Sequence, residues 1–173
     1  MNHSPTVILG IDPGIAITGF GVVADHRGDP RVVEFGVIRT PAEDPLPQRL
    51  QTLYAELSAL LARHRPRAIA IEELFFAKNA RTALTVGHAR GVALLAAAQS
   101  GAHIYQYKPA EVKQAVTGYG NAEKRQIQEM VRLLLGLDDI PRPDDAADAL
   151  AIALCHFQSA RFHTAFPESS SPI

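Results

Sequence analysis

Short apolar runs open the chain, and a helical period follows them. Val7-Ile8-Leu9-Gly10-Ile11 leads into Asp12, and residues 18–24 and 32–40 are again rich in aliphatic and β-branched side chains. Pro13-Gly14 and the polar link 25–30 (Asp-His-Arg-Gly-Asp-Pro) separate them. Apolar runs of strand length bounded by turn residues predict three consecutive strands joined as a meander. Leu46, Leu50, Leu53, Leu57, Leu60 and Leu61 then recur at helical spacing, opposite Gln48, Arg49, Gln51, Glu56 and Arg63. That pattern predicts an amphipathic helix over 46–64, stopped by Pro66. The run 68–72 predicts a short buried strand, 79–100 a second helix with Asn79 as its cap, and 103–107 a fifth strand. Helical segments follow at 109–116, 122–135 and 145–163, the last two separated by 138–143 (Asp-Asp-Ile-Pro-Arg-Pro). The order describes an α/β fold: a mixed sheet of about five strands, the first three antiparallel, with helices packed on it.

A chain of 173 residues without internal repeats is one domain, residues 1–165, followed by a Ser/Pro-rich tail, 166–173, expected to be disordered. The second helix is slim, with Gly87, Ala89, Gly91, Ala93, Ala96, Ala97 and Ala98. Such a surface serves close packing within the chain or self-association, and the sequence leaves both open.

The candidate chemistry lies in acids at element ends. Asp12 and Glu72 each terminate an apolar strand, and Asp145 and Asp148 stand one turn apart at a helix start with only alanines between them. Any one has an ordinary structural use; Asp144 and Asp145, after Pro143, sit where helix caps sit. Together they would be desolvated and mutually repulsive, and a divalent cation is the usual way to offset that. All-oxygen donors without zinc-type Cys/His spacing point to Mg²⁺, with Mn²⁺ as a substitute. Two ions flanking a phosphodiester would support its hydrolysis. Glu73 doubles the acid beside Glu72, but successive strand residues face opposite ways, so only one of the pair reaches a common site.

Net charge is −1, from 17 basic and 18 acidic residues; without the four candidate ligands, 14 acids face 17 bases, so a modestly basic surface is compatible with the composition. Cys155 lies in an apolar helical run and is expected to be a buried side chain, and His156, two turns beyond Asp148, a packed or surface histidine rather than a ligand. No basic-then-apolar leader opens the chain and no apolar run is long enough to span a bilayer, so a reducing cytoplasm is the expected compartment.

Gly10-Ile-Asp-Pro-Gly14, Ile71-Glu-Glu-Leu-Phe-Phe-Ala-Lys-Asn79, Gly87-His-Ala-Arg-Gly-Val92, Val112-Lys-Gln114, Ala122-Glu-Lys124 and Asp145-Ala-Ala-Asp-Ala-Leu-Ala-Ile-Ala153 occur in this order. In these motifs the chain closely resembles the RuvC family of Holliday junction resolvases, from about residue 7 to 156. The resemblance implies a ribonuclease H-like fold, a homodimer, divalent-metal cleavage of four-way DNA junctions, and association with the RuvA and RuvB branch-migration proteins. It places the catalytic acids on Asp12, Glu72, Asp145 and Asp148, phosphate contacts on Lys113 and Lys124, and a junction contact on Phe75; Lys78 and Arg81, basic residues beside Phe75 in the chain, are further candidate DNA contacts. Phe75 or Phe76 would wedge against bases at the junction. Three rivals differ in class. One is a related nuclease acting on RNA or an RNA·DNA hybrid. Another is a sugar-kinase-like phosphate site, for which the chain lacks room for a second domain. The third is a junction-binding module without turnover, which the four acids disfavour.

Overall fold

The structure, a computed structural model, describes residues 5–73 and 80–165, without the side chains of 80–82 and 162–165. The expectations for Phe75, Phe76, Lys78, Asn79, the Arg81 side chain and the tail 166–173 lie outside the described residues. The described residues form five strands, β1 (Thr6–Asp12), β2 (Ile17–His26), β3 (Asp29–Arg39), β4 (Ala68–Glu72) and β5 (His103–Tyr107). With five helices, α1 (Leu46–His64), α2 (Ala80–Ser100), α3 (Pro109–Thr117), α4 (Lys124–Leu134) and α5 (Asp144–Ala165), the order along the chain is β1-β2-β3-α1-β4-α2-β5-α3-α4-α5. The sheet order is β3-β2-β1-β4-β5, antiparallel across β3, β2 and β1 and parallel across β1, β4 and β5.

Among the boundaries that differ from the sequence expectation, two have a clear physical cause. Residues 25–30 are not a loop: Asp25 pairs with Pro30 and His26 with Asp29, leaving Arg27 and Gly28 as a two-residue turn with φ of 56° and 93°. Such turns match the twist of a hairpin, and Gly28 takes the left-handed conformation without steric penalty. Pro30 is tolerated because β3 is an edge strand. Helix α4 starts at Lys124 rather than 122, because Gln126 Oε1 accepts the Glu123 backbone N–H at 2.9 Å and makes Glu123 the cap.

Strand alternation sorts the core into two faces. Leu9, Ile11, Val22, Ile69 and Ile71 pack with Leu53 and Leu57 of α1 and Ala89, Ala93, Ala96 and Ala97 of α2. Ile8, Val23, Ala68 and Ala70 face the other way, onto α5, with Val112, Val116 and Val131 of α3 and α4 beyond it. Helix α5 is therefore enclosed between the sheet and two helices, and residues 149–157 are all buried. This is why its sequence is apolar around its whole circumference.

Register and glycines together place the acids. Asp12 continues the Ile8, Gly10 parity and Glu72 the Ala68, Ala70 parity, so both face α5. Because Ile11 pairs with Ile71, the two acids follow side by side on adjacent parallel strands, which run about 4.8 Å apart. Asp12 is opposite Gly19 on β2, and Gly10 is opposite Gly21. A Cβ on Gly19 would lie 1.9 Å from the Asp145 carbonyl oxygen, and one on Gly10 2.1 Å from that of Ala149. The glycines form a trough into which the α5 backbone settles, carrying Asp145 and Asp148 to the end of β1. Gly10→Ala is accordingly expected to force α5 off the sheet, at about 1–3 kcal/mol or more, with a melting temperature lower by roughly 4–10 °C. An unchanged thermal melt would show that the helix does not depend on the trough.

Candidate active site

Asp12, Glu72 and Asp148 line one cleft of ≈ 260 Å³ together with Lys113 from α3 and Lys124 from α4, over an apolar base that includes Val112 and Ile127. Asp145 does not line it; its backbone rests on Gly19, and its charge is felt by both Asp12 and Asp148. Larger clefts of ≈ 530–600 Å³ lie elsewhere on the surface. None of them brings together acids from two strands and a helix, and that chemistry, not size, marks the smaller cleft as the site.

The electrostatics follow from crowding. Burial raises the Asp12 carboxyl from 3.8 to about 7, reinforced by Asp148, Glu72 and Asp145 and opposed only in part by Lys124. Burial and then Asp148 raise Glu72, against the pull of Lys113. Asp148 is also raised, by burial ahead of the lowering effect of Lys124. The Lys124 ammonium lies 3.4 Å from Asp148 and 3.3 Å from Asp144. Burial works against its charge, yet Asp148 and Asp144 hold its pKa above the ordinary value. Asp144 is lowered by its hydrogen bond from Lys124 and also pairs with Arg142 at 2.9 Å. It anchors the lysine from outside the cleft.

Among the described residues, no three His, Cys, Asp or Glu side chains stand close enough to ligate a single ion as placed. The donor set nonetheless fits a hard divalent cation. It is all oxygen, substantially buried and mutually repulsive, and burial together with the neighbouring acids raises the Asp12 carboxyl to about 7, a cost that a bound cation would offset.

Both strand ends are braced by residues that the sequence pattern alone does not single out. After Asp12, buried Thr18 Oγ1 accepts the Gly14 N–H at 3.2 Å and donates to the Gly14 carbonyl at 2.6 Å. Thr40 donates to the Ile15 carbonyl, and Arg49 Nε donates to Thr40 Oγ1 at 2.9 Å. After Glu72, the Glu73 N–H donates to the Tyr107 carbonyl at 2.8 Å, and Arg90 Nε donates to the Glu72 carbonyl at 3.3 Å while its Nη2 donates to Gln106 Oε1. Arg90 lies within the Gly87–Val92 motif, which was the available sequence signal. His156 is buried, its Nδ1 2.7 Å from the Tyr107 hydroxyl and its ring 4.2 Å from that of Tyr105. Burial lowers it to about 4, so it is neutral and structural, as its position suggested. Cys155 is likewise buried, and burial pushes its thiol up to about 12.

Residues 8–156 match the family described as Crossover junction endodeoxyribonuclease RuvC. The chain belongs to the RuvC family. Its relatives include Crossover junction endodeoxyribonuclease RuvC of Chloroflexus aggregans, 62% identical over 152 residues, and that of Chloroflexus aurantiacus, 61% identical over 152 residues. Each alignment covers 88% of this chain and 93% of the relative. The structure of Thermus thermophilus RuvC in complex with Holliday junction substrate superposes with a TM-score of 0.87 at 43% identity, covering 92% of this chain and 97% of that one. The ribonuclease H-like α/β architecture expected from the sequence is therefore the one observed. No described helix is long and apolar enough to cross a membrane.

Of the residues singled out from sequence, the fold brings Asp12, Glu72, Asp148, Lys113 and Lys124 into one cleft and leaves Asp145 at its margin. Glu73 has the opposite strand parity and does not line it.

Proposed function

We propose that this RuvC-family chain is a structure-specific endodeoxyribonuclease that resolves four-way DNA junctions by metal-dependent hydrolysis of phosphodiesters on opposed strands. The observation that supports it best is the convergence of Asp12, Glu72 and Asp148 with Lys113 and Lys124 in one cleft of a RuvC-family fold. Mg²⁺, or Mn²⁺ in its place, would be held by Asp12, Glu72, Asp145 and Asp148, two ions per subunit. When bound, the ions supply Lewis acidity and charge neutralisation at the phosphate. Lys113 and Lys124 hold non-bridging phosphate oxygens and oppose the charge that builds up on them. Lys124 can exchange its contact with Asp148 for a phosphate while Asp144 keeps it in place.

The active species is a two-fold dimer. Ala89, Ala93, Ala96 and Ala97 of α2 are buried inside the subunit, whereas Leu84, Gly91 and Leu95 are exposed on its outer side. The outer side is the self-association surface. Family resemblance adds RuvA and RuvB as partners, Phe75 as a further DNA contact, and action in the cytoplasm during recombination and repair; the basic residues Lys78 and Arg81 beside Phe75 extend that DNA contact.

The test is cleavage, in Mg²⁺, of a synthetic four-way junction against a linear duplex and an RNA·DNA hybrid of the same sequence. The junction is expected to be cut at least about a hundredfold faster, with Glu72→Gln inactive and Glu73→Gln mildly affected. Preferred cleavage of the hybrid would instead support a ribonuclease of the same fold, and an essential Glu73 would invert the strand-facing assignment.

A further inference from the structure

Tyr119 is unusual among the aromatic side chains described: it is 60% exposed, on the turn between α3 and α4. Its hydroxyl has no hydrogen-bond partner among the described residues. The turn that carries it is nonetheless well fixed. Gly118 takes φ of +76°, its N–H donates to the Gln114 carbonyl at 2.8 Å, and Gln114 Nε2 donates to its carbonyl at 2.9 Å. Thr117 Oγ1 accepts the Tyr119 N–H at 3.1 Å and lies 2.8 Å from the Lys113 carbonyl and 3.0 Å from that of Tyr119. The Ala122 N–H closes the turn onto the Tyr119 carbonyl at 3.2 Å. An apolar ring held in water on a glycine-flanked turn whose Gly118, Tyr119 and Ala122 N–H groups are hydrogen-bonded is not stabilising the fold through burial.

Its location suggests what would cover it. The turn joins the two helices that carry Lys113 and Lys124, and Thr117 ties it to Lys113 directly. The ring also lines a separate cleft of ≈ 530 Å³ on the side of α4, with Arg125, Gln126, Glu123, Glu129 and Met130. That cleft is of mixed charge: Glu129 is already paired with Arg132 at 2.8 Å, and Glu123 stands opposite Arg125 in sign. Mixed charge suits a phosphate poorly. A flat face with amide and guanidinium groups beside it suits a nucleobase, which stacks on aromatic rings irrespective of its identity.

We propose that Tyr119 is a stacking platform for an unpaired or splayed base of the DNA whose phosphate is held by Lys113 and Lys124. The inference rests on the junction-nuclease reading above and extends its contact surface to the α3–α4 turn. The chain contains no tryptophan, so Tyr119→Trp introduces a single indole at the position in question, excited selectively over the remaining tyrosines. Placed in an Asp12→Asn background, it is titrated with a synthetic four-way junction in Mg²⁺ while labelled-DNA anisotropy reports binding.

Strong quenching at saturation is expected. In the same background, Tyr119→Ala should weaken binding about fivefold or more, with an unchanged salt slope and an unchanged melting temperature, and Tyr119→Phe should restore the affinity. Binding without quenching and without loss in Tyr119→Ala overturns the stacking role and leaves the nuclease reading intact. A salt slope lower by about 0.9 would make the residue a phosphate contact instead, and a changed sedimentation coefficient would make it a protein contact. No anisotropy change for the Asp12→Asn parent itself would remove the nuclease reading and this inference with it.

Discussion

Asp12→Asn is expected to abolish cleavage, by at least about a hundredfold, while leaving junction binding intact or tighter and making the metal-free protein more stable at alkaline pH. Burial and three neighbouring acids hold the Asp12 carboxyl protonated up to about pH 7, well above its ordinary value of 3.8. The folded state therefore binds this proton more tightly than the unfolded chain does. Stability from this group is fully present below about pH 4 and is lost as pH rises through 7. Ionising it there costs roughly 2 kcal/mol or more. Asparagine has nearly the same shape and no charge, so the variant escapes that loss. At pH 8 in a chelator it should melt about 5 °C or more above the parent, and at pH 4 the two should converge. Added Mg²⁺ should reverse the order, because a ligand stabilises only the fold that binds it, and the variant lacks one of the ligands. A variant less stable than its parent at pH 8 in chelator would mean that the crowding of acids around Asp12 is not the dominant force there.

The same acids show how much of the molecule was legible in its sequence. Strand periodicity of two is strict, so the sequence places Asp12 and Glu72 at strand ends and Glu73 on the opposite face. The register of Ile11 on Ile71 agrees with both assignments. The helical leucines of α1 and the continuous apolar run of α5 were equally plain, because each pattern is local. What was hidden depends on a second element. Gly10, Gly19 and Gly21 look like weak points in their strands until α5 is laid across them. Asp144 looked like a cap until α4 brought Lys124 to within 3.3 Å. Thr18, Thr40 and Arg49 form a brace only after the chain has returned past β3 into α1. The Arg27-Gly28 turn is illegible in the sequence for a different reason. Its flanking residues are polar because they belong to the end of an edge hairpin, where a strand needs no apolar side chains.

The second large effect concerns the pairing of cuts. One chain contributes one set of acids in one cleft, whereas resolution of a four-way junction requires two cuts on opposed strands. A closed homodimer places two identical clefts about a two-fold axis, matching the pseudo-two-fold symmetry of the junction. Both cuts then occur within a single bound complex. A mixed dimer of wild type with Asp12→Asn retains two DNA-binding surfaces, since the lysines of both clefts are untouched, but has only one hydrolytic centre. On a supercoil-extruded cruciform it is expected to convert most bound substrate to nicked circles, and very little to the linear product of paired cuts. Wild type should give mainly linear product. The partition is read from one gel lane and does not depend on the affinity of the mixed species, because both products arise after binding. It also separates this mechanism from slow rebinding. A single-site enzyme that dissociated after one cut would give nicked circles even as wild type, because the first nick relaxes the supercoiling that holds the cruciform out; only paired cuts within one bound complex give linear product. Linear product from the mixed dimer as efficient as from wild type, or an active species that sediments as a monomer, would overturn the paired-site mechanism and with it the role assigned to the outer face of α2.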